Sequence, residues 1–447
     1  MTRRSSRAVA ASGVLSESAL SVSSPSRHRT PNGPTTLERN APELWPVRLG
    51  LSVVALGLWT LLTMKLAQQA HRGTPIDFLV YRDAALNMLH HGDTYHTRFT
   101  VAHVGFIYPP FALLLLSVLV LVPPLVALSA WWLLNVIALV GVVTICLREL
   151  TTLRRFNLFL GSSLLAAASI LYLQPLRSNM SFGQINFLLM WAVTFDVVRV
   201  RSFGRGALTG IAAAIKLTPL VFTAYFLMGR SRMAAWRTCG VFVGAAVLAS
   251  FVLPQESRWF WLHQAFRPQR FGKVSNPINQ SWYGFMGHVF SSAPQVREIA
   301  WGVLSAVTLW IGLSFVRRCV ARQRPIDALL ALALIQTLVS PISWAHHWSW
   351  VVLIPIVLGV RWRESRVVAM AMVLVVAVSV IAPYRWYRYS WCSHGILYDV
   401  FGYSLVLSGA ILLVSMSVVE RRRDLAADGK TFDGTSKVSL RGGRTRR

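Results

Sequence analysis

The sequence predicts an all-α, polytopic integral membrane protein, and three observations carry that expectation. Of its 447 residues, 54% are hydrophobic and only 14% are charged, where soluble domains average roughly 25% charged. The apolar residues fall in long runs separated by short polar breaks. The 45 Lys and Arg outnumber the 17 Asp and Glu, giving a net charge of +28, and the basic residues collect in alternate breaks, as cytoplasmic loops do. Composition disfavours a soluble enzyme, a disordered chain and a collagen-like fibre. It also disfavours a nucleic-acid binder, which carries its basic charge on a far more polar surface.

In chain order, residues 1–46 are rich in Ser, Arg, Pro and Thr and hold no long apolar run. Such a segment buries too little apolar surface to offset its ordering entropy, so a disordered cytoplasmic tail is expected. The first apolar stretch starts near Val47, too late for a secretory signal. The membrane domain is expected over 47–420, and a second basic, disordered cytoplasmic tail over 421–447, opening on Arg421, Arg422 and Arg423. Candidate spans are 47–67, 126–147, 157–173, 184–200, 238–254, 298–316, 326–341, 348–360, 367–383 and 398–418. Breaks carrying Arg148, Arg154 and Arg155; Arg199, Arg201 and Arg205; Arg230, Arg232 and Arg237; Arg317, Arg318, Arg322 and Arg324; and Arg361, Arg363 and Arg366 are expected on the cytoplasmic side. The intervening breaks 68–107, 174–183, 255–297, 342–347 and 384–397 are expected outside.

Two segments depart from simple alternation. Residues 108–121 are read as a helix dipping into the outer leaflet, because a crossing there would place Arg148–Arg155 outside. Residues 206–230 carry arginines at both ends and are interrupted by Lys216, Thr218 and Pro219. Proline removes a backbone donor and disfavours helix in the residue before it. Two half-helices, 206–216 and 218–229, return the chain to the side it left, which irregular backbone permits where it lines a cavity. With these halves the expected total is about twelve transmembrane or half-membrane helices.

Polar residues concentrate in the outward breaks. The first, 68–107, holds Asp77, Asp83 and Asp93, and its DFLVYRDAALNML stretch has the spacing of an interfacial helix. Asp83 adjoins Arg82 and Asp93 sits in a turn-like HGDTY, so both read as solvated or capping charges. Asp77 admits two readings, a solvated or helix-capping charge or a general base for an alcohol. Arg177, Asn179, Gln184 and Asn186 cluster at the mouth of a span: amides there suit sugar hydroxyls and an arginine suits a phosphate, although amides also tie helices together. Asn276, Asn279, Gln280 and Trp282 combine amides with aromatics, as sugar surfaces and interfacial belts both do. In SPISWAHHWSW, Trp344, His346 and His347 stand at the edge of a span. Adjacent histidines cannot share one metal from one helix face, but they suit proton carriage or phosphate binding. Lys216 is the one lysine inside an apolar segment, where an ionisable group marks function by default. Cys146, Cys239, Cys319 and Cys392 are scattered and read as packing residues, with no metal or disulfide framework.

Taken together, the order Asp77, Tyr108-Pro109-Pro110, Gly183-Gln184-x-Asn186, Gly206 and Gly210 before Lys216-x-Thr218-Pro219, Asn279-Gln280-Ser281 and Ser340-Pro341-x-Ser343-Trp344-x-His346-His347 resembles the actinobacterial glycosyltransferase family 87. The resemblance covers roughly 47–420, and the joint order is more specific than any one motif. It implies a GT-C fold and an inverting α-(1→2)-mannosyltransferase that uses polyprenyl-phosphate-mannose. It further implies Asp77 as catalytic base, with Tyr108, Arg177, Gln184, Asn186, Lys216, Asn279, Gln280, Trp344, His346 and His347 around the substrates. No metal or cofactor is expected beyond the lipid-linked donor. The implied acceptor is a phosphatidylinositol mannoside, lipomannan or lipoarabinomannan, reached from the outer face of the cell membrane. A GT-C enzyme using arabinose or glucose is the nearest rival. A glycolipid transporter is the second; it predicts functional charges near the midplane and repeat symmetry, whereas only Lys216 lies deep and no clear internal repeat is present.

Overall fold

The computed structural model describes residues 45–100, 103–201, 203–229, 231–265, 276–388 and 395–439, with side chains in the last helix described to Ala426. Cys392 and nearly all of the 1–46 tail lie outside them. Contacts divide the chain into two units, Met1–Leu49 and Gly50–Arg447. Of the first, only Trp45–Leu49, the opening of the first helix, is described. All that follows concerns the second.

The chain is helical almost throughout. Helix α1 spans Trp45–Arg72, α2 Ile76–Leu89, α3 Pro110–Leu116 with a 3-10 extension to Val120, α4 Pro124–Leu150, α5 Arg155–Tyr172, α6 Gln174–Phe182 and α7 Asn186–Val198. Helix α8 is Ala207–Ile215, α9 Thr223–Met228 after a 3-10 turn Thr218–Phe222, α10 Arg232–Val252 and α11 Pro254–Trp259. Then come α12 Trp282–Val289, α13 Pro294–Ala321, α14 Pro325–Val339, a 3-10 run Ala345–Val352 leading into α15 Leu353–Arg361, α16 Arg366–Ile381, α17 Gly395–Gly402 and α18 Ser404–Ser439. A two-residue hairpin, β1 Arg98–Phe99 with β2 Val104–Gly105, lies between α2 and α3. Prolines open α3, α4, α11, α13 and α14, where a missing N–H costs no helical bond and the fixed φ suits the first turn.

Among the described residues seven helices are long and apolar enough to cross a membrane: α1, α4, α5, α10, α13, α16 and α18. The pair α6 and α7, bent by 117°, makes an eighth if counted as one span. The protein is therefore a multi-pass membrane protein with seven or eight such spans among the described residues. Pro110–Val120, Thr218–Met228 and Pro325–Val339 are apolar but shorter than a span. The outward break expected at 174–183 is itself helical, because α6 forms a packed corner with α7. The break at Lys216 appears as expected: α8 ends at Ile215, Lys216 is extended at φ −148° and ψ 128°, and Pro219 starts the next turn.

Lipid is as apolar as leucine, so close packing and polar ties, rather than exclusion from water, hold such helices together. Small residues mark the close approaches. A methyl on Gly210 would stand 2.7 Å from the Thr238 carbonyl, joining α8 to α10. One on Gly141 would meet Trp191 at 2.7 Å, and one on Gly312 would meet Ile335 at 2.6 Å. Helix α14 is buried on nearly all sides, from Ile326 to Ile335 without a break. The buried Asp196 carboxylate caps α8 from a distance, accepting from Gly206 N at 2.7 Å and from Thr209 N and Oγ1 at 2.8 Å.

At one end of the bundle, arginines that the sequence assigns to cytoplasmic breaks meet acids. Arg318 contacts Asp424 at 2.7 Å, and Arg322 pairs with Glu420 and Asp424. The buried Asp327 receives Arg324 at 3.1 Å and Arg361 at 2.8 Å. Arg423 joins Glu364 at 3.0 Å and Glu420 at 3.4 Å.

Candidate active site

Helix α2 presents Asp77 and Tyr81 one turn apart, on one face. Its backbone is held against the α6–α7 corner by a glycine. Gly183 ends α6 in the left-handed region at φ +71°, and a methyl there would lie 2.7 Å from Phe78 Cβ. The glycine thus provides both the turn and the clearance for α2. Its carbonyl accepts from the Trp131 indole at 2.8 Å.

Gln184, the next residue, clasps the site. Its Nε2 donates to Asp77 Oδ2 at 2.6 Å. Its Oε1 lies 3.0 Å from the Tyr108 hydroxyl and 3.2 Å from the Tyr81 hydroxyl, and the two hydroxyls are 2.8 Å apart. Among the described residues, the hydrogen bond that Asp77 makes is to Gln184, across the cavity wall, and none runs to its own helix. Burial pushes its carboxyl up from the ordinary 3.8 to about 6, while the Gln184 hydrogen bond and the Lys216 charge pull the other way. A base needs its ionised form. An activity that uses Asp77 as a base should therefore fall as pH drops through about 6, in kcat/KM measured from pH 5 to 7.

Lys216 reaches the same place from the break after α8. Its Nζ donates to Asn186 Oδ1 at 2.9 Å, lies 3.2 Å from His347 Nε2 and stands 5.4 Å from the centre of the Tyr108 ring. Asn186 in turn donates to Asn179 Oδ1 at 3.0 Å and to the His346 carbonyl at 3.3 Å. The buried His346 ring packs on Phe182 and His347, and its Nε2 has no hydrogen-bond partner among the described residues.

These groups line one cavity of about 1220 Å³, shared by Asp77, Tyr81, Tyr108, Gln184, Lys216, His346 and His347. Trp344 and the exposed Arg177 also line it. Of the residues singled out from sequence, Asn186 stands behind Lys216 rather than on the wall. Asn279 and Gln280 do not reach the cavity, a correction to the sequence-based expectation. Asn279 is fully buried, donating to Pro341 O at 3.1 Å and accepting from Ser343 N at 2.8 Å. Gln280 joins the Pro277 and Gly402 carbonyls and accepts from Leu405 N at 3.1 Å. Asn279 fixes the loop that presents Trp344, His346 and His347, and Gln280 fixes the junction of α17 and α18, because buried amides are spent on backbone groups that would otherwise be orphaned. Asp93 closes a local turn with His96 at 2.7 Å, away from the cavity.

Sequence reasoning missed Tyr81, although its i+4 spacing from Asp77 was a usable signal. It also missed Arg98, His103, Tyr384, Arg385, Glu298 and Trp301 on the wall; these are isolated in sequence and carried no local signal. No three His, Cys, Asp or Glu side chains among the described residues converge on a metal position.

Comparison with known proteins follows the same outline. Residues 106–341 match the sequence profile described as glycosyltransferase family 87. The chain is 31% identical over 369 residues, 77% of its length and 84% of the relative's, to a Mycobacterium tuberculosis protein named polyprenol-phosphate-mannose-dependent α-(1-2)-phosphatidylinositol mannoside mannosyltransferase. A second M. tuberculosis protein, named as the corresponding pentamannoside mannosyltransferase, is 33% identical over 340 residues, 74% of each chain. A Mycolicibacterium smegmatis protein with the first name is 33% identical over 288 residues, 60% of this chain and 64% of its own. No solved structure matches the chain.

Proposed function

The chain belongs to glycosyltransferase family 87, and from that premise we propose that this glycosyltransferase moves mannose from polyprenyl-phosphate-mannose to a phosphatidylinositol mannoside or a related lipid-anchored glycan. The linkage formed is α-(1→2), and the anomeric configuration inverts. The observation that carries the assignment is the convergence, in one cavity, of a carboxylate held by an amide and a set of cations and imidazoles.

Asp77 takes the proton from the acceptor hydroxyl. The freed oxygen pair attacks the anomeric carbon as the bond from that carbon to the phosphate oxygen breaks. The polyprenyl phosphate leaves already ionised, so no strong general acid is needed. Lys216, Arg177 and the two histidines stabilise the charge that develops on it, a task for preorganised donors in a water-poor site. His346 Nε2, without a hydrogen-bond partner among the described residues, is a hydrogen-bonding group for that oxygen. Tyr108, Gln184 and Trp344 shape the sugar site, and Asn186 holds Lys216. The lipid-linked donor is the only small molecule the chemistry calls for, with neither metal nor cofactor.

The fold follows the GT-C plan, with about twelve transmembrane or half-membrane helices and α2 in the membrane interface. Both termini are cytoplasmic and the cavity is extracytoplasmic. Donor and acceptor both carry lipid tails, so both diffuse laterally to the site while their sugars meet above the hydrocarbon. Purified protein given polyprenyl-phosphate-mannose and a phosphatidylinositol mannoside should yield a product one hexose heavier, cleavable by an α-(1→2)-mannosidase and formed undiminished in EDTA. Transfer from polyprenyl-phosphate-arabinose or polyprenyl-phosphate-glucose, without transfer from the mannose donor, would overturn the assignment.

A further inference from the structure

Among the described residues, the cavity wall carries two acids, Asp77 and Glu298. Glu298 lies in the first turns of α13 and plays no part in the chemistry above. Its Oε1 accepts from the Tyr283 hydroxyl at 2.8 Å and from Arg297 Nη2 at 2.9 Å. Neither bond uses Oε2, and the side chain keeps 47% of its surface exposed. Tyr283 is buried, 5.1 Å from Trp301 and 5.3 Å from the Arg297 guanidinium, so the residue orienting Glu298 is itself locked. Trp301 is one turn along α13 from Glu298. Its indole is tied to the Val339 carbonyl at 3.1 Å while its ring joins the cavity wall, as Trp344 does.

The remaining charged groups on the wall are cations: Arg98, Arg177, Lys216 and Arg385. A phosphate is drawn to those and repelled by Glu298. A carboxylate with one oxygen unbonded among the described residues, beside the partly exposed Trp301 indole and with that of Trp344 on the same wall, is suited instead to a neutral polyol. Vicinal hydroxyls donate to the carboxylate through charge-assisted bonds, and the C–H face of a sugar ring lies on the aromatic surface, in the mixed apolar and polar lining usual for small-ligand sites.

We infer that Glu298, oriented by Tyr283 and flanked by Trp301, forms, with Trp344 on the same cavity wall, the subsite that holds a mannose residue of the acceptor glycan. The inference rests on the mannosyltransferase assignment for the identity of the glycan. Glu298 binds substrate, and Tyr283 is a positioning residue. Glu298→Gln keeps the shape and removes the charge. It should raise the KM for a phosphatidylinositol mannoside acceptor about tenfold or more, the scale of a hydrogen bond to a charged group, while the KM for the mannose donor stays put. Tyr283→Phe should shift the acceptor KM in the same direction by less. A structural defect would move both KM values together, and that result, or an unchanged acceptor KM, would overturn the inference. A binding arm separates the two assignments. Quenching of tryptophan fluorescence by the phosphatidylinositol mannoside in detergent should be seen for the unmutated protein and weakened about tenfold by Glu298→Gln. Binding with that loss but without mannosyl transfer would sink the reaction and leave the subsite standing. Absence of binding to the unmutated protein would sink the subsite.

Discussion

Asp77→Asn is expected to lower kcat for mannosyl transfer by about 10²- to 10⁴-fold, the usual contribution of a positioned general base. The substitution keeps the shape of the side chain and leaves Gln184 an oxygen to donate to. The Asp77–Gln184 bond joins α2 to the α6–α7 corner across 107 residues, so a variant that keeps it should also keep its thermal midpoint in detergent. Donor affinity should change little, because the lost group acts on the acceptor hydroxyl. Near wild-type turnover in the purified variant would remove Asp77 from the mechanism. Loss of turnover with a collapsed midpoint would instead make it a structural residue.

The second large effect is on stability and lies at the other end of the bundle. Asp327 is 2% exposed and receives Arg324 and Arg361 together. Asp327→Ala leaves both guanidinium groups without their shortest contact in a site with little water. Removing one partner of a buried pair typically costs 3–5 kcal/mol. Arg324 retains Glu420 at 3.3 Å, and Arg361 has Glu364 only at 3.8 Å, so a loss of about 3 kcal/mol is expected, at the lower end of that range. It should appear as a lower thermal midpoint with unchanged acceptor and donor KM in the surviving fraction. An unchanged midpoint would show that the network contributes nothing to stability.

Much of this protein is legible in its sequence where the signal is local. Long apolar runs name most of the spans, and Lys216-x-Thr218-Pro219 gives the broken helix because proline and a buried charge act where they stand. Lys216 is visible as a charge inside an apolar run and Gln184 and the histidine pair as polar clusters at span edges, whereas Asp77 is set apart from Asp83 and Asp93 only by the family resemblance. What sequence could not give was orientation. Asn279 and Gln280 look as much like sugar ligands as His346 does, and only the packed loop shows their amides turned to backbone carbonyls. The α6 helix was hidden because its residues, QPLRSNMSF, are polar enough to read as a loop until the corner with α7 buries them. Glu298 carries no motif at all, and only the fold brings it to the wall that Asp77 occupies.

The arginine–acid network also has a history in time. Arg318 and Arg322 leave the ribosome about a hundred residues before Glu420 and Asp424, their partners across separations of 98 to 106 positions. While α13 and α14 are made, those arginines have no acid of α18 to pair with, and basic residues near the ends of a span bias its orientation. Only when α18 is made and packs does their charge find its counterions. The clasp therefore closes only on the last helix, long after its arginines are in place.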